Sequence, residues 1–190
     1  MKGLFIQYNS PVVLTFGAVS LFALLLGQWT DHASTWAVFS VYRSSFTDPL
    51  AYVRILLHVL GHANFEHFFS NFLIILLVGP MLEERHGGKN ILLLIAFTAL
   101  ITGLVQIIFF DTALLGASGI VFMFMILAGF ANLQKGRIPL TLILVVVIFI
   151  GREFIGSITI DDQISRITHI VGGLCGAVFG IIINKQSLFK

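Results

Sequence analysis

Charged residues are scarce in this sequence. Lys, Arg, Asp and Glu make up 11% of the 190 residues, whereas 57% are hydrophobic and the mean hydropathy is +1.00. A soluble globular domain is about 25% charged, so this chain could not cover a surface that faces water. Disordered chains need the opposite balance, with low hydropathy and many charges. The composition therefore predicts an integral, multi-pass membrane protein.

Cysteine and clustered basic residues are scarce as well. Cys175 is the single cysteine, which excludes an internal disulfide and a multi-cysteine metal site. The formal net charge is +2 and the basic residues are scattered, so the sequence lacks the basic surface typical of nucleic-acid binding. We expect no cofactor, no metal ion and no nucleic acid among the ligands of this chain.

Long runs without charge divide the chain into helices. About 20 apolar residues suffice for a membrane-spanning helix, whose backbone amides are satisfied internally. We predict an all-α polytopic membrane protein with one domain, 1–190, and six transmembrane helices. The long outer loop covers about 29–55, and the predicted helices are 11–28, 64–82, 90–110, 116–134, 138–156 and 168–185.

The distribution of basic residues predicts the orientation, because cytoplasmic segments carry an excess of Lys and Arg. With the N-terminus inside, seven basic residues lie on the cytoplasmic side and four on the outer side. Both termini are therefore predicted to be cytoplasmic. The second, fourth and sixth helices then all begin at the outer face of the membrane.

Two of the predicted helices are irregular. Glu66 precedes the second apolar run, and Arg152-Glu153 interrupts the fifth helix. Charged groups are costly in lipid. We therefore expect the second helix to begin beside a wet cavity and the fifth to be short, tilted or mobile.

Histidines at the start of the second helix form the first candidate site. His67 and Asn71 lie four residues apart on one helix face. They could bind a reacting group, or they could join helices by hydrogen bonds. His58 and His62 have the same spacing, which can bind a metal, but no carboxylate or cysteine on that face completes the site.

A serine between small residues opens the fourth helix, in Gly116-Ala117-Ser118-Gly119. Small neighbours leave the hydroxyl accessible, and the free amides of a helix N-terminus can face a developing negative charge. The same small residues could serve helix packing alone.

Glycines recur every fourth residue on the sixth helix, at Gly172, Gly176 and Gly180, on roughly the face that carries His169. Such faces let two helix backbones approach closely. Packing of this face on the fourth helix would bring His169 towards Ser118.

His67, Ser118 and His169 share one predicted depth in the membrane, because each lies near the outer end of a predicted helix. A serine becomes a good nucleophile when a histidine accepts its proton. We predict Ser118 as the nucleophile, His169 as general base, and His67, Asn71 and the Ser118 amide as oxyanion donors. The sixth helix contains no Asp, so the prediction is a dyad.

At these positions the sequence resembles the rhomboid family of intramembrane serine proteases, in its short bacterial form with six helices. The resemblance covers about 54–180. The matching motifs are His58, His62, His67-Phe-Phe-Ser-Asn71, Glu83-Glu-Arg85-His-Gly87, Gly116-Ala-Ser118-Gly119 and His169 with Gly172 and Gly176.

The resemblance implies a rhomboid-like bundle and a serine endopeptidase that cuts transmembrane segments of other membrane proteins, near their outer ends. It also implies a location in the lipid bilayer of the bacterial inner membrane. Phe122 stands where the family often has tyrosine, so its ring could stack on His169 but not donate a hydrogen bond. Supporting or packing roles are implied for His58, His62, Gly116, Gly119, Phe122, Gly172 and Gly176.

Three other interpretations stay open at this point. A catalytically silent rhomboid-like protein would bind transmembrane helices without cutting them, although such proteins typically lack the serine or the histidine. A transporter or metal permease would need acidic residues within the spans, and Glu66 alone comes near. The third is a structural bundle whose motifs are accidental.

Overall fold

A computed structural model describes residues 8–45, 47–130, 137–148 and 163–188. A 3-10 turn, His58–Leu60, follows α3, and Val41 and Leu114 form an isolated antiparallel bridge. The helices are α1 (Pro11–Trp29), α2 (Ala33–Val38), α3 (Pro49–Leu57), α4 (Phe65–His86), α5 (Gly88–Phe109), α6 (Ser118–Phe130), α7 (140–148) and α8 (Gln163–Leu188).

The described part is helical, in agreement with the predicted all-α class. Three helices, α1, α4 and α5, are long and apolar enough to cross a membrane. α6 is a shorter apolar helix, as is the segment Ile167–Ile183 of α8. The predicted outer loop is not irregular throughout, because it contains α2 and most of α3.

Helix bounds differ from the predicted ones where polar residues are involved. α4 continues past the apolar run to His86, and α8 begins at Gln163, several residues before the expected start. α6 begins at Ser118 because Gly116 has a φ of +121°, which no helix contains. The Arg152-Glu153 interruption lies outside the described residues, as do 131–134 and 149–156 of the predicted helices.

The closest packing of the bundle is between α6 and α8, which form the most extensive helix contact of the described part. A Cβ atom at Gly172 would lie 2.2 Å from the carbonyl oxygen of Gly119, and one at Gly176 would lie 2.4 Å from that of Met123. Only glycine permits this approach. The two backbones therefore touch directly at these two glycines.

The start of α1 is held by a residue of α4. The carboxylate of Glu83, which is buried, accepts hydrogen bonds from the amides of Val12 (3.0 Å) and Val13 (2.9 Å). These amides have no partner within α1, because the first amides of a helix never do. A negative charge at a helix N-terminus also stabilises it. Glu83 therefore holds the N-terminus of α1 beside the C-terminal part of α4.

The segment that leads to the histidines is held by Arg54 of α3. Its buried guanidinium donates to the carbonyl oxygen of Ala37 (3.2 Å), pairs with Asp48 and lies 4.6 Å above the ring of Tyr42. Asp48 also caps α3, since its side chain accepts from the Leu50 amide. These contacts set the entry of the chain into the turn at His58–Leu60.

Candidate active site

The first turn of α4 positions His67. The side chain of Asn64 accepts a hydrogen bond from the His67 amide at 2.8 Å, which is the usual N-cap arrangement. One turn later, the Nδ2 of Asn71 donates to the carbonyl oxygen of His67 at 3.0 Å. An amide nitrogen carries two hydrogens, so Asn71 keeps one for another acceptor.

The ring of His67 packs against Gly116. A Cβ atom at Gly116 would lie 2.7 Å from Cε1 and 2.8 Å from Nε2 of His67. The φ of +121° at Gly116 is also strained for any residue with a side chain. Two independent requirements therefore demand glycine two residues before Ser118. The sequence alone gave no reason to connect this glycine with His67.

Ser118 is the first residue of α6 and is half-buried. The amide of Gly116 is already used, because it donates to the carbonyl oxygen of His58 at 3.0 Å. The carbonyl of Ala117 accepts from the Val121 amide, which closes the first turn of α6. The chain thus turns sharply into the helix at the serine.

His169 lies on α8 beside the same turn. Its ring centroid is 4.4 Å from that of Phe122, one turn after Ser118, with the rings tilted by 38°. A Cβ atom at Gly119 would contact Thr168, the residue before His169, at 3.4 Å. The residues that flank Ser118 and His169 are therefore in contact.

His58 is buried and held at both ring nitrogens. Nδ1 lies 3.0 Å from the carbonyl oxygen of Ile55, and Nε2 lies 3.2 Å from the hydroxyl of Thr102 on α5. Gln106, one turn further, donates to the carbonyl oxygen of Thr112 in the segment before α6. Thr102 and Gln106 are not among the site residues predicted from the sequence. Polar residues four apart in an apolar helix were the signal that could have revealed them.

His62 lies in the short segment before α4, and its ring is buried. Its Nδ1 donates to the carbonyl oxygen of Leu60 at 3.2 Å, and its ring meets that of His67 edge-on with centroids 5.0 Å apart. Burial lowers the pKa of His62 to about 4, because desolvation disfavours the charged form. The ring is therefore neutral at physiological pH.

The predicted residues fall into two groups. The structure packs His67 against Gly116, Thr168 of α8 against Gly119, and His169 against Phe122, all within about one turn of Ser118. His58 points elsewhere, into α5. Among the described residues, no three of the types His, Cys, Asp and Glu are grouped to hold a metal ion.

Comparison with known families bears on this arrangement. The family model of the rhomboid domain matches residues 49–186, more than half of the chain. No curated protein matches the sequence. Members of the matched family are in general intramembrane serine proteases, although some are inactive. The match spans every residue discussed above from His58 to Gly176, and the chain therefore belongs to the rhomboid family.

Proposed function

We propose that this chain is an intramembrane serine endopeptidase that cuts a transmembrane helix of another membrane protein with a Ser118–His169 dyad. One observation carries the proposal: both sides of the serine turn are packed against histidine-bearing helices. Gly116 lies against His67, and Gly119 lies against α8 beside His169. A serine used only for packing would not need a histidine on either side.

The chemistry follows from these groups. The hydroxyl oxygen of Ser118 attacks the carbonyl carbon of the scissile bond while the imidazole of His169 accepts its proton. The tetrahedral intermediate collapses, the carbon–nitrogen bond breaks, and His169 gives the proton to the leaving amine. Water then attacks the serine ester with His169 again as base, which releases the acid product and restores the serine.

The negative oxygen of the intermediate needs donors. The imidazole of His67, the second Nδ2 hydrogen of Asn71 and the amide of Ser118 are the candidates. Removal of one such donor typically costs a factor of about 10²–10³ in kcat. Since α8 contains no acidic residue from 163 to 188, His169 has no carboxylate on its own helix to orient it. Phe122 takes a share of that task by contact with its ring.

The substrate is proposed from topology and depth. With six spans and both termini in the cytoplasm, α4, α6 and α8 begin at the outer face, so the dyad lies in the outer part of the bilayer. The scissile bond then lies near the outer end of a substrate helix. A helical peptide bond is protected by its own hydrogen bonds, so residues that weaken a helix, such as glycine, should favour cleavage. For a short bacterial form we place the enzyme in the inner membrane.

A fluorophosphonate probe, which reacts with activated serines, tests the proposal. We expect the wild type to be labelled and cleaved reporter helices to accumulate, whereas Ser118→Ala and His169→Ala should show neither. Ser20→Ala is the matched control, because Ser20 is fully buried in α1 and far along the chain from the site. Its labelling should equal that of the wild type.

Two results would overturn the proposal. Equal labelling of the wild type and both dyad variants would show that another serine reacts with the probe. Binding of a transmembrane segment with neither labelling nor cleavage would favour the silent, helix-binding form of the family.

A further inference from the structure

One ring nitrogen of His62 is a buried acceptor that the described residues leave without a partner. The carbonyl oxygen of Leu60 can only accept, so Nδ1 of His62 must carry the hydrogen that bonds to it. In a neutral imidazole the other nitrogen then has a bare lone pair. This nitrogen, Nε2, is buried and has no hydrogen-bond partner among the described residues. Leaving such a buried group without a partner destabilises the folded state.

The neighbouring ring of His67 must carry its hydrogen on one particular nitrogen. Nε2 of His67 is on the edge that meets Gly116, since a Cβ atom there would be 2.8 Å from Nε2 and 3.9 Å from Nδ1. To donate to an oxyanion near Ser118, a neutral His67 must carry its hydrogen on Nε2. Its Nδ1 is then an acceptor too.

Two acceptors cannot bond to each other, but one water molecule can donate a hydrogen to each. The rings meet edge-on with centroids 5.0 Å apart, tilted by 66°. Hydrogen bonds of about 2.9 Å from a shared water can bridge such a pair. Buried waters are found where two or more buried polar groups need partners.

We propose that His62 is a positioning residue: it shares one buried water with His67, and this water holds His67 as the Nε2–H donor of the oxyanion site. The water donates one hydrogen to Nε2 of His62 and the other to Nδ1 of His67. The proposal rests on the proposed function, because it explains how His67 becomes a donor.

Histidine labelled with ¹⁵N reports the tautomer directly by NMR in detergent micelles, with the His67 signals assigned by their loss in His67→Gln. We expect the Nε2–H form in the wild type. In His62→Phe, which keeps an aromatic ring against Phe68 and Phe72, we expect a mixture of both tautomers. If that variant fails to fold, His62→Met fills similar space with a flexible apolar side chain and replaces it.

Kinetics on a transmembrane substrate give the second readout. In His62→Phe, kcat should fall about tenfold with KM unchanged, less than the 10²–10³ of a lost donor. His62→Gln, whose carbonyl oxygen can accept from the same water, should recover to within about threefold of the wild type. His86→Phe is the matched control, since Nε2 of His86 is also buried without a partner among the described residues, but His86 lies at the other end of α4. Its kcat should not change.

The two proposals fail differently. If cleavage does not depend on Ser118, the proposed function is wrong, while the tautomer of His67 still decides the role of His62. If cleavage depends on Ser118 but His67 has the same tautomer in the wild type and in His62→Phe, the positioning role alone is wrong. An equal fall of kcat in His86→Phe would also overturn it.

Discussion

Backbone touches backbone where α6 meets α8 at Gly172, whereas the contact of α1 with α4 is made through side chains. In the first contact, a Cβ atom at Gly172 would overlap the carbonyl group of Gly119. In the second, the rings of Phe16 and Phe72 lie 5.4 Å apart, and a Cβ atom at Gly17 would meet the Phe72 ring at an ordinary 3.4 Å.

The two helix contacts differ in how well they tolerate a substitution. A side-chain contact can absorb a small change by rotation about single bonds, but two backbones in contact have nothing between them that can move. The positions of Ser118 and His169 therefore follow directly from the packing of α6 on α8. The α1–α4 contact involves neither Ser118 nor His169, and its apolar side chains can adjust to a small change.

Gly172→Ala should have the largest effect. The new methyl group would lie 2.2 Å from the Gly119 carbonyl oxygen, so α8 must move away from α6. We expect a loss of about 3 kcal/mol of unfolding free energy and probe labelling at background, measured by thermal unfolding in detergent and by gel fluorescence. Near-normal labelling of this variant would show that the helices can separate without harm to the site.

Gly116→Ala should come next, with an effect on activity more than on stability. The methyl group would displace the His67 ring and would impose a strained φ on alanine. We expect kcat to fall about 100-fold, the typical cost of one oxyanion donor, in a protein that still folds. An unchanged kcat would mean that the position of His67 does not matter for catalysis.

Glu83→Ala tests the polar part of the α1–α4 contact. It would leave the part-buried amide of Val12 and the buried amide of Val13 without their acceptor, which should cost about 2–3 kcal/mol of unfolding free energy. Labelling per folded molecule should stay the same. Glu84→Ala, at the exposed neighbouring position, should change neither quantity, and equal losses in the two variants would contradict the capping role.

Gly17→Ala should have the smallest effect. Its methyl group would make an ordinary contact with Phe72, and alanine is more favourable than glycine within a helix by about 0.8–1.0 kcal/mol. Unfolding free energy should therefore change by less than about 1 kcal/mol, in the stabilising direction. A loss like that of Gly172→Ala would erase the contrast between the two contacts.

Local features of the fold could be predicted from the sequence. Pro11 at the first position of α1 and a polar residue before α4 are common helix starts, and both helices begin close to the predicted residues. The helix bounds that differ from the predicted ones depend on contacts with residues distant in the sequence. The predicted helix ends before Glu83 because Glu83 is charged. In the structure Glu83 lies within α4, where its carboxylate accepts hydrogen bonds from the start of α1.

In the candidate site, too, local features could be predicted from the sequence, whereas contacts between distant segments could not. The spacing of His67 and Asn71 within one helix could be read from the sequence. The contacts of the His67 ring could not be read from the sequence, because Gly116 and His62 approach it from other segments of the chain. Thr102 and Gln106 have no motif of their own, and they matter only through contacts to His58 and to the segment before α6.

The cap on α1 has a consequence for synthesis of the protein. Glu83 follows Val12 by 71 residues, so the ribosome finishes the first helix long before it makes the group that satisfies its leading amides. Until α4 enters the membrane beside it, α1 must keep those amides in water or among lipid head groups. The polar start of α1 therefore depends on a group that is made only after α2 and α3.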